Sequence, residues 1–133
     1  MISKEDLIKV DFSVNPFQIQ LPPSFNSSNK SIQLDEILIE THDASCPAFL
    51  KLHCDQACFF DEHLNKSTEM EMIPKTNVWG TLTQYYKGYD QSKDYIALGM
   101  TNTVNLSITD QSDSTISLAD YSTCRIVLRV THY

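Results

Sequence analysis

The sequence predicts an all-β chain, an antiparallel sandwich or barrel of about eight strands. The main reason is the last third, where apolar residues alternate with other residues over three consecutive segments. Period-two patterning of this kind is typical of strands with one buried face. The apolar residues all fall on even positions: Val104, Leu106, Ile108, Ile116, Leu118, Cys124, Ile126, Leu128 and Val130. A second reason is that the sequence shows no long amphipathic helical pattern and no α/β alternation.

The first half of the chain continues this pattern. Apolar and polar residues alternate loosely over residues 6–12 and regularly over residues 17–21. The second segment ends at Pro22, because proline has no backbone N–H to donate to a neighbouring strand. The apolar residues then change from even positions, up to Leu34, to odd positions, from Ile37 onward. Such a switch predicts either a helical turn or a β-bulge within one long strand, and the β-branched residues around it favour the bulge.

The middle of the chain also reads as strands. We expect a strand over residues 48–54 and a short strand ending at Pro74. Residues 77–95 are rich in aromatic side chains, and Gly80 and Gly88 supply bends there. Residues 1–133 are expected to form one domain with one core, since the chain has 133 residues of which 41% are apolar.

Charge and composition restrict the classes of function. The chain has 10 basic and 17 acidic residues, a net charge of -7, and its lysines and arginines are scattered. Nucleic acid is therefore not expected as a direct partner, because binding phosphates needs concentrated positive charge. The N-terminal residues lack the apolar core of a signal peptide, and no apolar run is long enough for a transmembrane helix, so no membrane partner is expected.

One cluster of candidate metal ligands stands out in the middle of the chain. Thiols and imidazoles in a short segment could hold zinc: Cys46, His53, Cys54, Cys58 and His63. The spacing does not match a zinc knuckle, and neighbours on a strand such as His53 and Cys54 point to opposite faces. We therefore predict no metal site and no cofactor, with free thiols as the default state of the four cysteines.

No catalytic signature accompanies these strands. The sequence contains no G-x-S-x-G elbow, and its three glycines are too far apart for a phosphate-binding loop. The carboxylates Asp35, Glu36, Glu69 and Glu71 fall where a solvated strand face or loop would carry them. We therefore predict no catalytic residues and no enzyme activity.

Aromatic residues provide the main candidates for a binding surface. The cluster consists of Trp79, Tyr85, Tyr86, Tyr89 and Tyr95. Tryptophan and tyrosine dominate both protein interfaces and sugar-stacking platforms. Because Tyr85 and Tyr86 are adjacent, one of the two should face outward on a strand. A subunit contact is a simpler use of such a surface than a ligand site.

The order of these segments resembles the single jelly-roll minor capsid proteins, of the penton type, from double-stranded DNA viruses of the polinton and adintovirus kind. The resemblance rests on strand patterns and short motifs over nearly the whole chain: Phe17 to Pro23, Ile32 to Ile39, residues 48–55, Met72 to Pro74, Val104 to Gln111, Ile116 to Leu118 and Arg125 to Val130. The sequence departs from that group at Ser112-Asp113-Ser114, where a glycine turn is usual.

The resemblance implies an eight-stranded jelly roll that works by symmetric self-association. It implies a homo-oligomer, with a pentamer favoured, a major capsid protein as partner, and a place in the virion after assembly in the host cytoplasm or nucleus. It supplies no catalytic residues. The residues that we assign to a subunit interface are Trp79, Tyr85, Tyr86, Tyr89, Asn105, Ser107, Thr109, Arg125 and Arg129.

A second hypothesis belongs to a different class of function. A fibre head or a carbohydrate-binding β-sandwich could use Trp79 and Tyr89 as a stacking platform for a sugar. A capsid subunit should assemble into rings or shells, whereas a binding module should show affinity for glycans. The oligomeric state in solution separates the two.

Overall fold

A computed structural model gives the fold and describes residues 4–23, 29–43, 45–57, 59–60, 63, 66–88 and 95–133. The described residues form strands and connections, all strand pairing is antiparallel, and the predicted all-β class is confirmed. In the part of the chain that the structure describes, no helix is long and apolar enough to cross a membrane.

The strands follow one another along the whole chain. Their bounds are β1 Lys4–Asp11, β2 Phe17–Gln20, β3 Lys30–Thr41, β4 Phe49–Cys54, β5 Phe59–Phe60, β6 Lys66–Ser67, β7 Glu69–Trp79, β8 Leu82–Gly88, β9 Tyr95–Gly99, β10 Thr103–Thr109 and β11 Tyr121–His132. In the described part of the chain, the short strands β5 and β6 pair with each other as a separate ribbon.

The remaining strands form two packed sheets with the strand order of a jelly roll. In the first sheet β1 pairs with β11, β11 with β3, and β3 with β9. In the second sheet β2 pairs with β10, β10 with β4, and β4 with β7. If the β5–β6 ribbon and β8 are set aside, these eight strands, numbered in chain order, lie as 1-8-3-6 and 2-7-4-5. The predicted jelly roll is therefore confirmed.

Strand β7 joins the two sheets. Its first half pairs with β4, and its second half pairs with β8, which in turn lies beside β3. The predicted end of this strand at Pro74 is wrong, because the strand continues to Trp79. Pro74 is opposite Phe49 at the last pair with β4, just before pairing with β8 begins, so the proline lies where the ladder changes partner.

The parity switch in β3 is a β-bulge, as predicted. Leu34 is opposite Leu128 and Glu36 is opposite Val127, so Asp35 is the extra residue on the β3 side. The bulge lets Ile32 and Leu34 on one side of it, and Ile37 and Ile39 on the other, all point into the core, where each is completely buried.

The even-numbered stripe of the last third is confirmed as core, with one correction. Its members on β10 and β11 are buried, as are Ile19, Leu50 and Leu52 from facing strands. Ile116 and Leu118, however, do not belong to a strand; they lie in the connection between β10 and β11. The Asn15 amide holds this connection, because its Nδ2 donates to the carbonyl oxygens of both Ile108 and Ile116 at 2.8 Å. The side chain thus adds to a short backbone pairing, in which Ile116 N donates to Ile108 O at 3.3 Å and Thr115 bridges Thr109.

Candidate subunit interface

The outer face of β10 carries three of the predicted interface residues. Asn105 and Ser107 are partly buried and line an open cleft of about 470 Å³ beside β2. The cleft forms because β2 pairs with the first half of β10 and β4 pairs with the second half, so the two neighbours are staggered. Its lining residues are Pro16, Phe17, Gln18, Asp55, Asn105, Leu106, Ser107 and Thr115. Sequence reasoning missed Gln18 and Asp55, which only the strand order brings beside β10.

Thr109, the third of these residues, is only 6% exposed. Its Oγ1 lies 2.8 Å from Nε2 of His53, and Nδ1 of the same ring lies 3.0 Å from Oγ1 of Thr68. The imidazole thus bridges two threonines across the second sheet. The prediction that Thr109 offers an accessible contact is therefore wrong, since its hydroxyl is engaged by the neighbouring strand.

A small ion-pair cluster lies next to this imidazole. Lys51 Nζ is 3.0 Å from Asp113 Oδ1 and 3.5 Å from Glu69 Oε1. The hydrogen bond that Lys51 donates to Asp113 raises the pKa of Lys51, with further attraction from the Asp113 and Glu69 carboxylates. Asp113 has a φ of 63°, a left-handed conformation usual for glycine. The turn at Ser112–Ser114 thus reaches the left-handed region with an aspartate and without a glycine.

The candidate zinc ligands are separated by the pleat of β4. Cys54 is completely buried in the core, whereas His53 lies on the outer face of the sheet. Cys58 lies outside the described residues. Among the residues that the structure does describe, no three histidines, cysteines, aspartates or glutamates are grouped so that they could hold a metal ion.

The outer face of the first sheet carries the two predicted arginines. Arg125 Nε donates to Asp11 Oδ1 at 3.1 Å. Arg129 bridges three strands, because Nη1 donates to Glu5 on β1 and Nη2 donates to Asp35 Oδ1 on β3 at 2.6 Å. These hydrogen bonds to carboxylates raise the pKa of Arg129 further, and both arginines have carboxylate partners within the sheet.

Tyr86 belongs to the same face as Arg125. In the strand register Arg125 is opposite Leu38, and Leu38 is opposite Tyr86. The Tyr86 hydroxyl lies over Gly88, since a Cβ built on Gly88 would be 3.0 Å from it. The structure therefore brings two predicted interface residues, Tyr86 and Arg125, into one row across β8, β3 and β11.

Tyr85 points the other way and is completely buried. Its hydroxyl donates to the carbonyl oxygen of Pro47, and burial strongly raises the pKa of this phenol. Its assignment to a subunit interface is wrong, because the pleat of β8 turns it into the core. As predicted, one of the two adjacent tyrosines, Tyr86, faces outward. Tyr89 lies outside the described residues.

Trp79 stands at the tip of the β7–β8 hairpin. It is opposite Leu82, so Gly80 and Thr81 form a two-residue turn, and φ of +60° at Gly80 is that of a type II′ turn. Trp79 is 56% exposed and the adjacent Val78 is 59% exposed. Sequence reasoning missed Val78, although the glycine after Trp79 signalled a turn. The tip thus presents two large apolar side chains to solvent.

Comparisons with known proteins give distant structural likenesses. No protein-family model matches the chain, and no curated protein matches it. One similar solved structure is the infectious bursal disease virus VP2 subviral particle, with 10% identity and a TM-score of 0.31 over 97% of this chain. Another is that of the T=1 particles derived from infectious bursal virus, with 13% identity and a TM-score of 0.32 over 96% of this chain.

The chain spans about a third of the length of these solved structures, 32% in both cases. Likenesses at this level assign neither a family nor a function. The jelly-roll assignment rests on the strand order of the chain itself.

Proposed function

We propose that the chain is a structural subunit of an icosahedral viral capsid, of the penton type, which assembles into a symmetric ring with a pentamer favoured. The jelly roll is a fold of viral capsid, lectin and cupin domains. The observation that carries the proposal is that apolar side chains from both sheets fill the space between them. A filled interior leaves the outer surfaces for function, and self-association is a surface function.

A ring requires two different surfaces on each subunit, because each copy contacts its neighbours head to tail. The hairpin tip with Val78 and Trp79 is suited to be one of them. The cleft lined by Asn105 and Ser107 is suited to be the other, and it lies on a different part of the fold. Within it Gln18 and Asp55 offer oxygen atoms to the indole N–H, which usually finds a partner when buried.

The charge and the proposed partners agree with this role. A net charge of -7 does not favour direct contact with a packaged genome, so the partners we propose are other copies and the major capsid protein. The location we propose is the virion, after assembly in the host cytoplasm or nucleus.

Size-exclusion chromatography with light scattering, followed by negative-stain microscopy, tests the proposal. The wild-type chain should form a ring of defined copy number, and Trp79→Ala should abolish the ring. Ser107→Arg should do the same by filling the cleft, while Gln84→Arg, a matched change on β8, should leave the ring intact. A wild-type chain that stays monomeric at all concentrations would contradict the proposal.

Mixing the two interface variants identifies the type of contact. Trp79→Ala retains an intact cleft, and Ser107→Arg retains an intact tip, so an equimolar mixture can form one tip-to-cleft contact. We expect the mixture to form larger assemblies than either variant alone. A mixture no larger than the separate variants would show that the tip and the cleft do not contact each other.

The exposure of Trp79 also favours the alternative, a fibre head or carbohydrate-binding module. A monomeric or trimeric chain that binds glycans, and loses this binding in Trp79→Ala, would replace the capsid proposal.

A further inference from the structure

The edge of the first sheet suggests a second contact between copies. Among the described residues, strand β1 is at the end of the strand order and pairs on one side, with β11. Its eight residues are regular, since no register shift interrupts the β1–β11 ladder. An edge of this length, if left unpaired, can pair with another chain. What this edge can pair with depends on which backbone groups point outward and on the charges along it.

One backbone hydrogen bond determines which residues of β1 bond to β11 and which face the free edge. Phe12 N donates to Cys124 O at 3.0 Å, and the two residues are directly opposite in the register that pairs Asp11 with Arg125. Hydrogen-bonded and non-hydrogen-bonded pairs alternate along an antiparallel ladder. The even residues of β1 therefore bond to β11, and the odd residues Glu5, Leu7, Lys9 and Asp11 direct their backbone N–H and C=O groups to the free edge.

We propose that β1 pairs antiparallel with β1 of a second copy, around a two-fold axis beside Leu7. Such an axis runs perpendicular to the sheet, and two residues that are opposite each other across it must point to the same face. Opposed residues are therefore separated by an even number of positions, and the residue at the axis lies opposite the same residue of the second copy. In the proposed register Leu7 faces Leu7, and Glu5 faces Lys9 on both sides of the axis.

Among the registers that pair most of β1 with its copy, the charges favour the one centred on Leu7. An axis beside Asp6 would oppose two carboxylates, and an axis beside Lys9 would oppose two ammonium groups. An axis beside Ile8 would place Glu5 opposite Asp11. The register centred on Leu7 has no like charges in opposition and forms two Glu5–Lys9 pairs, and directly opposed charges decide strand pairing in this way.

The surroundings of these side chains agree with the proposal. Leu7 is 56% exposed on the outer face, although it lies within a strand. Lys9 forms no salt bridge with another described residue, whereas Glu5 already accepts from Arg129. A second copy would cover the exposed leucine and bring the Lys9 ammonium to a carboxylate that the sheet holds in place. This contact is isologous and does not depend on the ring contact proposed above.

Cysteine cross-linking tests both the contact and its register. Directly opposed residues of an antiparallel pair have Cα atoms about 4.5–5.5 Å apart, within the range of a disulfide. Under mild oxidation Leu7→Cys should give a covalent dimer. Glu5→Cys and Lys9→Cys should each stay at the wild-type background alone and cross-link when mixed. Absence of a Leu7→Cys dimer, or self-cross-linking of Lys9→Cys above background, would overturn the proposal.

A charge reversal provides an independent measurement on the chain with its native cysteines. In the Trp79→Ala background, which should form no ring, Lys9→Glu would place two glutamates in opposition and should raise the dimer dissociation constant at least tenfold in sedimentation equilibrium. Lys4→Glu is the matched control, because Lys4 is opposite Val10 in the proposed register and should change the constant less than threefold. Equal effects of the two reversals would overturn the assigned register.

Discussion

Lys87 Nζ lies 2.6 Å from Glu71 Oε2, beside the point where β7 passes from one sheet to the other. The two side chains are 15% and 4% exposed, so the ion pair is shielded from solvent. Ion pairs of this kind contribute little net stability but are costly to break singly, because the remaining charge stays buried. The joint between the two sheets of the jelly roll is therefore sensitive to single substitutions.

Lys87→Met should destabilise the chain by about 3–5 kcal/mol, since it leaves the Glu71 carboxylate buried without its cation. The double variant Lys87→Met/Glu71→Leu should recover most of this loss. Urea unfolding measures both, with Lys75→Met, an exposed lysine on β7, as the control. A double variant no more stable than the single one would show that the pair itself stabilises the joint.

Asn15 should be equally sensitive, for a different reason. Its amide donates to two carbonyl oxygens, and its Oδ1 accepts from Ile108 N at 3.0 Å. Asn15→Ala should cost about 2–4 kcal/mol, because backbone groups at the start of the β10–β11 connection lose their partner. Asn15→Asp should cost at least as much, since a carboxylate cannot donate to the carbonyl oxygens.

Urea unfolding of both variants checks this prediction, with Gln18→Ala, an exposed residue on β2, as the control. Should Asn15→Asp prove as stable as the wild type, the orientation of the Asn15 amide described above would be wrong.

The sequence was sufficient to predict the elements whose burial pattern is local. The stripe on β10 and β11 and the bulge near Asp35 follow from alternation alone, because one face of each strand meets the core. The connection at Ile116 and Leu118 shows the same alternation without a strand. A short backbone bridge to β10 and the amide of Asn15 hold it, and the Asn15 contact spans about a hundred residues that no periodicity reveals.

The candidate interface was predictable only in part, for a related reason. Alternation shows that Tyr85 and Tyr86 face opposite sides, but it does not show which of them faces the core. The orientation depends on the neighbours of β8 in the sheet, which sequence alone does not provide. The burial of Thr109 could not be predicted either, because the side chain that contacts its hydroxyl, His53, lies on an adjacent strand.

The two arginines of the first sheet should differ in their contribution to stability. Arg129 connects Glu5 and Asp35 and is 24% exposed, whereas Arg125 has Asp11 as its carboxylate partner and is 38% exposed. Arg129→Lys should cost about 1–2 kcal/mol, because one ammonium cannot reproduce a guanidinium that reaches two strands.

Arg125→Lys should cost less than about 0.5 kcal/mol, as is usual for an exposed pair. Urea unfolding of the two variants in the same buffer checks the difference. Equal losses would show that the bridge across β1, β11 and β3 adds nothing beyond a single ion pair.

The buried thiol of Cys124 should make the stability of the chain depend on alkaline pH. Burial raises the pKa of Cys124 to about 11, against an ordinary value near 9. Between these two pH values the unfolded chain loses the proton and the folded chain keeps it. The contribution of the protonated thiol to the free energy of unfolding is therefore fully present below about pH 9. It falls by roughly 2–3 kcal/mol as the pH rises to about 11.

Urea unfolding from pH 8 to 11 measures this slope, and Cys124→Ala should flatten it although the variant is less stable at every pH. Burial also raises the pKa of Tyr121, to about 12, so Tyr121→Phe should alter the slope only above about pH 10. Between about pH 9 and 10 the slope therefore reports on Cys124 and not on Tyr121. An unchanged slope between pH 9 and 11 in Cys124→Ala would assign the alkaline loss of stability to other groups, such as the buried thiol of Cys54, whose pKa burial also raises.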